Sequence, residues 1–444
     1  MDDSLLPPVR VGVLGFGNVG AALVQLLVTE ADVIAERTGV RLEVARVGVR
    51  SSTRARAAAL PDAYLTTDAE AIVADPDIDV VVEVIGGIEP ARGLILHALK
   101  SGKPVVTANK ELLANVGAEL FEAAATSGVD LLYEAAVAGA IPLIRPLRES
   151  LAGERITRVM GIVNGTTNFI LTRMTEDGAS YGDALAEAQG LGYAERDPTA
   201  DVEGFDAAAK AAILASIAFG VNVVAGDVYR EGISAVTASD IAYARSLGYV
   251  VKLLAVVERH DPAPAAPNGR PAQDSTVAVR VHPAMIPATH PLSAVRGSFN
   301  AVFIEGQAVG ELMLYGRGAG GMPTASAVLG DLIDAAHNLR TGGAGRTTSL
   351  RRAAIRPIDD LRSEYYLNID VVDRPGVLAA VAAVFGEHGV SIRSMEQEGL
   401  GEEARLVFIT HVACERDVQA TLRGLGQLDV VKRFGTLLRV IGGQ

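Results

Sequence analysis

The sequence predicts an α/β protein built in three parts, and three observations carry this prediction. Over the first 150 residues, short β-branched runs alternate with Ala/Leu-rich stretches, which is typical of βαβ units and a parallel sheet. After residue 156, strands group around helical stretches, which indicates an α+β layer with an open mixed sheet. The C-terminal segment follows the order βαββαβ of the ferredoxin-like split motif.

Chain length supports the division. At about 150 residues per domain, 444 residues suffice for two to four domains. A Gly- and Arg-rich stretch near residue 345 is typical of a linker. We therefore expect a parallel-sheet domain at 1–150, an α+β domain at 151–340, a linker at 341–363 and a small module at 364–444.

Composition excludes several classes of protein. Forty basic against 53 acidic residues give a net charge of −13, and the sequence contains no basic run, which argues against nucleic-acid binding. No apolar stretch reaches the roughly 20 residues that a membrane span needs, and Met1–Ser4 does not resemble a signal peptide. The single cysteine, Cys414, excludes an internal disulfide and a Cys-rich metal site. We expect a cytoplasmic protein with a small-molecule substrate.

The first motif with chemical meaning follows the first predicted strand. In the pattern Gly-x-Gly-x-x-Gly, the glycines permit a tight turn, close approach of a pyrophosphate and close packing of helix on strand, while the helix N-terminus faces the anion. In this context the pattern predicts a Rossmann-like dinucleotide site, although a glycine turn without a ligand is the alternative. The predicted cofactor-binding residues are Gly15, Phe16, Gly17, Asn18, Val19 and Gly20.

The end of the second strand bears on the choice of dinucleotide. An acidic residue there would hold the ribose 2′-hydroxyl of NAD, but the sequence has Arg50, followed by Arg54 and Arg56. Guanidinium groups suit a 2′-phosphate. We therefore favour NADP(H) over NAD(H), with a solvated basic loop as the alternative.

Two of the six lysines stand out as candidate catalytic groups. Lys110 follows a predicted strand end, where ligands bind in open α/β sheets; a surface lysine is the alternative. Lys210 lies four residues after Asp206, so both project from one face of an apolar helix over 205–219. A charged pair on so apolar a helix is costly unless it has a function, although an ordinary exposed ion pair is the alternative.

Further candidates lie just before the apolar helix and in a later glycine-rich loop. Acidic residues accumulate just before the apolar helix, at Glu195, Asp197 and Asp201. A glycine-rich loop that contains Gly320 and Gly321 precedes a long helix, where it would bring backbone close to a ligand or act as a hinge.

Taken together, the motifs resemble the homoserine dehydrogenase family over nearly the whole chain. The motifs that carry the resemblance are Thr-Ala-Asn-Lys-Glu (107–111), Asn-Gly-Thr-Thr-Asn (164–168) and Gly-Tyr-Ala-Glu-x-Asp-Pro (192–198) with Asp-x-x-x-Lys downstream. The C-terminal module resembles an ACT domain, a small module that binds amino acids.

The resemblance implies reversible hydride transfer between a nicotinamide and L-aspartate 4-semialdehyde, which gives L-homoserine. It assigns Lys210 as proton donor, with Lys110 as second candidate and as a contact of cofactor and substrate. It places the substrate at Glu195, Asp206, Asp201 and Gly192, and the cofactor at Lys110, Gly192, Gly320 and Gly321 as well as the first glycine loop.

The resemblance also implies a monovalent-cation site and an effector site. Sodium would be bound by Glu134 with the carbonyls of Val137, Gly139 and Ile141, although one carboxylate alone is a weak indication of a hard cation. Threonine would act as feedback effector at Asp373, Gly376 and Val377, in a turn whose N–H groups can bind a carboxylate. A module that serves only dimerisation is the alternative, and we expect a homodimer or homotetramer.

Two other functions remain open from the sequence. The chain could be another NADP-dependent amino-acid dehydrogenase with an ACT tail. It could also be a catalytically silent sensor of dinucleotide and amino acid. Turnover of homoserine distinguishes all three.

Overall fold

The computed structural model describes residues 7–51, 61–261, 275–343, 350–352, 354–399 and 401–442. In chain order its strands are β1 (Val9–Leu14), β2 (Leu42–Gly48), β3 (Leu65–Thr66), β4 (Val80–Glu83), β5 (Val105–Thr107), β6 (Leu131–Leu132), β7 (Ile156–Ile162), β8 (Val221–Asn222), β9 (Tyr229–Arg230), β10 (Tyr249–His260), β11 (Thr276–Pro287), β12 (Phe299–Gly306), β13 (Gly310–Arg317), β14 (Arg351–Arg352), β15 (Arg362–Val372), β16 (Ile392–Gly399), β17 (Glu403–Thr410), β18 (Ala413–Cys414) and β19 (Val431–Val440).

Its α-helices are α1 (Asn18–Thr29), α2 (Ala31–Thr38), α3 (Ala69–Ala74), α4 (Ala91–Lys100), α5 (Lys110–Ser127), α6 (Ile144–Arg148), α7 (Gly165–Glu176), α8 (Tyr181–Gly190), α9 (Thr199–Val202), α10 (Phe205–Phe219), α11 (Ala238–Ser246), α12 (Gly321–Thr341), α13 (Val377–Glu387) and α14 (Glu415–Leu425). The chain divides into two compact units, and three separate segments contribute to each of them.

The first unit comprises Met1–Ile156, Ala209–Asp227 and Ile304–Ala353. Its six-stranded sheet has the order β3-β2-β1-β4-β5-β6 with parallel neighbours, as the sequence predicted. The central strands β1, β4 and β5 are mostly apolar and buried, which is typical of a sheet with helices on both faces. Helix α12, from late in the chain, shares the core with α1 and the central strands; its buried members are Ala325, Val328, Leu332, Ala335 and Ala336.

The second unit comprises Thr157–Ala208, Val228–Phe303 and Ala354–Gln444. From β12 onward its sheet has the order β12-β7-β10-β11-β19-β15-β17-β16. Strands β10 and β11 form a twelve-residue antiparallel pair, which is buried along most of its length. The apolar residues of β10 and β11 thus form the centre of the predicted mixed sheet.

The C-terminal module within this unit has the predicted order β15-α13-β16-β17-α14-β19, with a core of its own. Its last strand, β19, lies between β15 and β11 and is parallel to β11, with Ala284 opposite Arg439. The module is therefore continuous with the large sheet of the second unit.

Some elements differ from the sequence-based expectation. Helices α7 and α11 were not predicted, because the first begins with the polar string Gly-Thr-Thr-Asn and the second alternates polar and apolar residues without a clear helical stripe. The units also cut across the predicted boundaries, since α12 and the later part of α10 belong to the first unit. Part of the predicted linker, residues 344–349 and 353, lies outside the described residues.

Within the described ranges, no single helix has both the length and the apolar character that crossing a membrane requires.

Candidate active site

The glycine loop between β1 and α1 has the geometry that its sequence predicts. Gly15 has φ of +108°, and a Cβ there would lie 2.7 Å from the carbonyl oxygen of Val84. A Cβ on Gly20 would lie 2.1 Å from the carbonyl oxygen of Gly15, so helix and loop pack too closely for any side chain. At Gly17, by contrast, a Cβ would meet no atom within 4 Å. Two glycines are needed for packing, and the third leaves open space.

That open space lies at the start of helix α1. Gly17 is the N-cap and provides no side-chain hydrogen bond, and the first turn contains no acidic residue. The N–H groups of this turn and the helix dipole therefore favour an anion. Phe16 packs against the hydrophobic core, whereas Asn18 and Val19 line the adjacent crevice. The loop thus fits a dinucleotide pyrophosphate.

A crevice of about 320 Å³ opens beside this loop within the first unit. Both candidate lysines, Lys110 and Lys210, line this crevice together with residues of the glycine loop. The crevice is lined by Gly17, Asn18, Val19, Val84, Ile85, Gly86, Ala108, Asn109, Lys110, Ala135, Ala136, Gly139, Lys210, Gly318, Ala319 and Thr324.

A buried carboxylate network fixes the turn that presents Lys110. The Thr107 hydroxyl donates to Glu83 Oε2 at 2.6 Å, and Glu83 Oε1 accepts the N–H groups of Ile85 and Gly86 at 2.8 and 3.2 Å. Asn109 caps helix α5 through the N–H of Leu112. Lys110, the first residue of that helix, is exposed at the crevice.

Lys210 reaches the same crevice from helix α10 and has only 8% of its surface exposed. Its neighbours on the helix are small and apolar, with Ala211, Ala212 and Leu214 buried. Asp206 lies one helical turn earlier on α10, the i, i+4 relationship that the sequence predicted.

Within the second unit, Asn164 is hydrogen-bonded to two of the candidate acidic residues. Its Nδ2 donates to Asp201 Oδ1 at 2.6 Å and to Asp206 Oδ2 at 3.0 Å. The Thr166 hydroxyl also lies 3.2 Å from Asp201 Oδ2 and 2.7 Å from the Tyr193 carbonyl oxygen. Asn164 is itself fixed as the N-cap of helix α7, because its Oδ1 accepts the N–H of Thr167. We call Asn164, Asp201 and Asp206 the acidic cluster.

Other predicted substrate residues lie in the exposed loop after helix α8. Gly192 takes a left-handed conformation with φ of +75°, as a turn following a helix requires. Glu195 is exposed, and its carbonyl oxygen accepts a hydrogen bond from Gln189 Nε2 at 3.1 Å. Asp197 caps the next turn through Thr199, and this hydrogen bonding lowers its pKa.

The second glycine-rich loop packs against the first. A Cβ on Gly321 would lie 2.9 Å from the carbonyl oxygen of Asn18, and one on Gly139 would lie 2.3 Å from that of Gly318. Gly320 is the N-cap of helix α12. The close approach of backbones therefore requires Gly139 and Gly321, while Gly318 and Ala319 line the crevice.

The predicted cation loop shows an arrangement that the sequence did not indicate. The buried Glu134 carboxylate accepts the N–H groups of Leu143, Ile144 and Arg145 at 2.5 to 2.8 Å and so caps helix α6. The N–H of Glu134 donates to Asp331, whose pKa is raised to about 7 chiefly by burial. Val137, Gly139 and Ile141 follow in the same loop, and Val137 and Ile141 are buried.

The remaining candidates lie in loops or at the start of helix α13. Arg50 is exposed just after strand β2, while Arg54 and Arg56 lie outside the described residues. Gly376 is the N-cap of helix α13, Val377 is buried, and the N–H of Asp373 donates to the Glu402 carbonyl.

Sequence reasoning missed residues that organise the turn before Lys110 and the acidic cluster. Glu83, Asn164 and Thr166 make the hydrogen bonds described above, yet no side-chain role was assigned to any of them. Asn164 and Thr166 stood inside a motif that the sequence analysis quoted, and Asn164 directly before a helix start was the available signal.

Known proteins match this chain along nearly its whole length. Family models described as "Homoserine dehydrogenase, NAD binding domain", "Homoserine dehydrogenase" and "ACT domain" match residues 15–134, 142–333 and 365–429. The chain is 50% identical to a homoserine dehydrogenase of Mycobacterium tuberculosis over 442 residues, which is 98% of either chain. It is 50% identical to that of Corynebacterium glutamicum over 433 residues, covering 97% of this chain and 95% of the relative.

Solved structures of homoserine dehydrogenases also resemble this chain. A homoserine dehydrogenase from Thiobacillus denitrificans is 42% identical, with a TM-score of 0.90 and 98% of either chain covered. A hyperthermophilic archaeal homoserine dehydrogenase in complex with NADPH is 31% identical, with a TM-score of 0.61, covering 75% of this chain and 98% of the other.

Proposed function

The chain belongs to the homoserine dehydrogenase family, and from that premise we propose that Lys210 delivers the proton when L-aspartate 4-semialdehyde is reduced to L-homoserine. The observation that carries the proposal is that Lys210 is almost fully buried yet lines the same crevice as Gly17 and Asn18.

Reduction adds a hydride to the aldehyde carbon and a proton to its oxygen. A nicotinamide dinucleotide bound at the glycine loop supplies the hydride. The Lys210 ammonium stabilises the negative charge that develops on oxygen and then gives up a proton from Nζ. In the direction of homoserine oxidation, the neutral amine of Lys210 takes up the hydroxyl proton.

Lys110 is the second candidate for the proton. It is held at the crevice by the network of Glu83, Thr107 and Asn109, but it is exposed to solvent, so its charge is better screened than that of Lys210. We assign it to contact with cofactor and substrate.

The acidic cluster supports binding of the substrate ammonium group. Asn164 is neutral, so its hydrogen bonds fix Asp201 and Asp206 without neutralising their charge. Asp206 precedes Lys210 by four residues on helix α10, so the two side chains project from the same face of that helix. Glu195 and Gly192, in the preceding exposed loop, are proposed as further contacts.

We propose NADP(H) as the preferred dinucleotide, with Arg50 at its 2′-phosphate. Arg50 follows strand β2, where a bound ribose would lie in this fold. A homoserine dehydrogenase that this chain resembles is in complex with NADPH, which supports the proposal. The backbone of Gly320 and Gly321 is proposed to contact the same ligand.

A sodium ion at the 134–141 loop is also proposed, with a changed role for Glu134. Because the Glu134 carboxylate accepts three N–H groups of helix α6, its main-chain carbonyl is the oxygen that would join those of Val137, Gly139 and Ile141. Carbonyl oxygens are suitable ligands for a hard cation.

For the ACT module we propose feedback control by threonine, bound at Asp373, Gly376 and Val377. The turn ends in an N-cap glycine without a side-chain hydrogen bond, so the first N–H groups of helix α13 suit an amino-acid carboxylate. We propose a homodimer or homotetramer; size-exclusion chromatography with light scattering, with and without threonine, tests both points.

Steady-state homoserine oxidation tests the proton donor. Lys210→Met should lower kcat by about three orders of magnitude or more while the affinity for NADP stays near wild type, because a positioned general acid–base contributes roughly 10²–10⁴-fold. Lys210→Arg retains the charge without a transferable proton and should stay nearly inactive. Lys110→Met should raise the KM values more than it lowers kcat.

The alternatives give different results. A normal kcat in Lys210→Met, with a collapse in Lys110→Met, would transfer the role to Lys110. Binding of dinucleotide without turnover by the wild type would indicate a sensor. Faster turnover of another amino-acid alcohol would indicate a different dehydrogenase.

A further inference from the structure

We infer that Arg439 of the ACT module is a positioning residue for the acidic cluster and that it acts through Glu231. The inference deepens the proposed function, since it rests on Asp201 and Asp206 binding the substrate ammonium. All the contacts involved lie within the second unit.

Arg439, on strand β19, is buried and links a buried carboxylate, that of Glu415, to a partly exposed one, that of Glu231. Only 2% of Arg439 is exposed. Its guanidinium donates to both oxygens of Glu415 at 2.8 and 2.9 Å, and to both oxygens of Glu231 at 2.9 and 3.0 Å. It also lies 5.3 Å from the ring centroid of Tyr229. Bidentate pairs of this kind specify direction as well as charge, so Arg439 fixes where the Glu231 carboxylate lies, together with the Tyr229 hydroxyl, which also donates to Glu231.

The ACT side of this linkage is rigid. Glu415 is the first residue of helix α14 and is 1% exposed. Its Oε2 accepts the Tyr365 hydroxyl at 2.9 Å, and its N–H donates to the Leu361 carbonyl at 2.9 Å. Arg439 is therefore anchored to the module on one side and free to determine the position of Glu231 on the other.

Glu231 belongs to a segment, residues 229–233, that packs against residues 202–205. The N–H of Ile233 donates to the Val202 carbonyl at 2.8 Å, and the Arg230 guanidinium lies 3.6 Å from the centroid of the Phe205 ring. At Gly232 a Cβ would lie 2.4 Å from the Val202 oxygen, so the two backbones touch.

Residues 202–205 connect the two acids of the acidic cluster. Asp201 directly precedes this stretch and Asp206 directly follows it, and Asn164 bonds to both. A shift of the 229–233 segment therefore moves both carboxylates relative to Asn164. Because interiors are close-packed, such a shift is not absorbed locally.

The test compares two carboxylate deletions in the full-length protein. Glu231→Ala leaves Arg439 paired with Glu415, so no buried charge loses all its partners. It should raise the KM for homoserine by about tenfold, with kcat and the KM for NADP within about twofold, since a lost positioning contact of this kind weakens binding by roughly one decade. The matched control is Glu364→Ala, which removes a buried acid of the same module whose two oxygens both accept from Arg393 Nη1.

A second pair of variants tests whether Arg439 acts through Glu231. Arg439→Lys keeps a charge but cannot bond bidentately to two acids, so it should show a similar rise in KM. If Arg439 acts through Glu231, the double variant Arg439→Lys/Glu231→Ala should match the larger single effect. Additive effects, an unchanged homoserine KM in Glu231→Ala, or an equal change in Glu364→Ala would each overturn the inference.

Asp201→Asn separates this inference from the proposed function. If Asp201→Asn leaves the homoserine KM unchanged, the proposed role of the acidic cluster fails, and the inference fails with it. If Asp201→Asn raises that KM while Glu231→Ala does not, only the inference fails.

Discussion

Lys252 and Asn168 are joined by a buried hydrogen bond, in which Lys252 Nζ donates to Asn168 Oδ1 at 2.9 Å across 84 residues of sequence. The same ammonium donates to the Val295 carbonyl, and Asn168 Nδ2 donates to the carbonyls of Val295, Gly297 and Phe299. The pair therefore fastens helix α7, whose N-cap holds the acidic cluster, to the loop before strand β12.

Stability should depend on pH through Lys252. Burial lowers the pKa of this lysine to about 8, against a weaker opposing effect of Glu176 and with Arg296 adding to the lowering. Between about pH 8 and the ordinary pKa of 10.5 the unfolded chain binds more protons, so the free energy of unfolding should rise with pH, by up to about 3 kcal/mol. Below about pH 8 the penalty for burying the charge is fully present. Chemical denaturation of the wild type and Lys252→Met from pH 7 to 10.5 measures the difference.

Lys100→Met provides the control for that series, because Lys100 is an exposed lysine at the end of helix α4. Its difference from the wild type should stay flat across the same range. A flat difference for Lys252→Met as well would refute the assignment.

Alanine substitutions at two glycines of the first loop should have different effects, one on stability and the other on dinucleotide binding. Gly15→Ala places a Cβ at a positive φ and 2.7 Å from a carbonyl oxygen, which should destabilise the fold by about 2 kcal/mol or more. Gly17→Ala has room and an ordinary φ of −79°, so it should fold normally but bind NADP at least about tenfold more weakly. Thermal unfolding and dinucleotide titration separate the two; a Gly17→Ala protein with normal affinity would exclude close approach of the pyrophosphate there.

Reversing the charge at Arg50 should change the choice of dinucleotide. Arg50→Glu should lower the ratio of kcat/KM for NADP over NAD by about tenfold or more, because a carboxylate repels a 2′-phosphate and accepts hydrogen bonds from a 2′-hydroxyl. Arg37→Glu, an exposed reversal on helix α2, makes the same change in net charge. Equal ratios in both variants would remove Arg50 from the cofactor site.

Asn164→Ala should both destabilise the protein and weaken the binding of substrate. Loss of the N-cap costs about 0.5–2 kcal/mol, and Asp201 and Asp206 lose a shared donor, so the KM for homoserine should rise by about tenfold. Ser180→Ala removes the N-cap of helix α8 and should show the stability loss alone. If both variants shift KM alike, the cluster is not organised by Asn164.

The sequence predicted most reliably those features that depend on residues close together in the chain. The glycine loop, helix α10 and the C-terminal βαββαβ order depend on neighbouring residues, and each is found where it was predicted. Helix α7 was missed because its start is polar, although its capping asparagine stood in a quoted motif.

Hydrogen bonds and strand pairs between residues far apart in the chain could not be predicted from the sequence. Lys252 sits in an apolar strand, and nothing nearby in sequence identifies Asn168 or Val295 as its acceptors. The capping role of Glu134 and the place of β19 beside β11 likewise depend on residues far apart in the chain.

The position of Arg439 has a consequence for biogenesis. Glu231 leaves the ribosome 208 residues before the arginine that holds it, a delay on the order of 10 to 40 seconds at ordinary rates of synthesis. Throughout that interval the nascent polypeptide contains the carboxylate without its counter-ion. The segment 229–233 therefore matures late in translation, after most of the surrounding chain has already emerged.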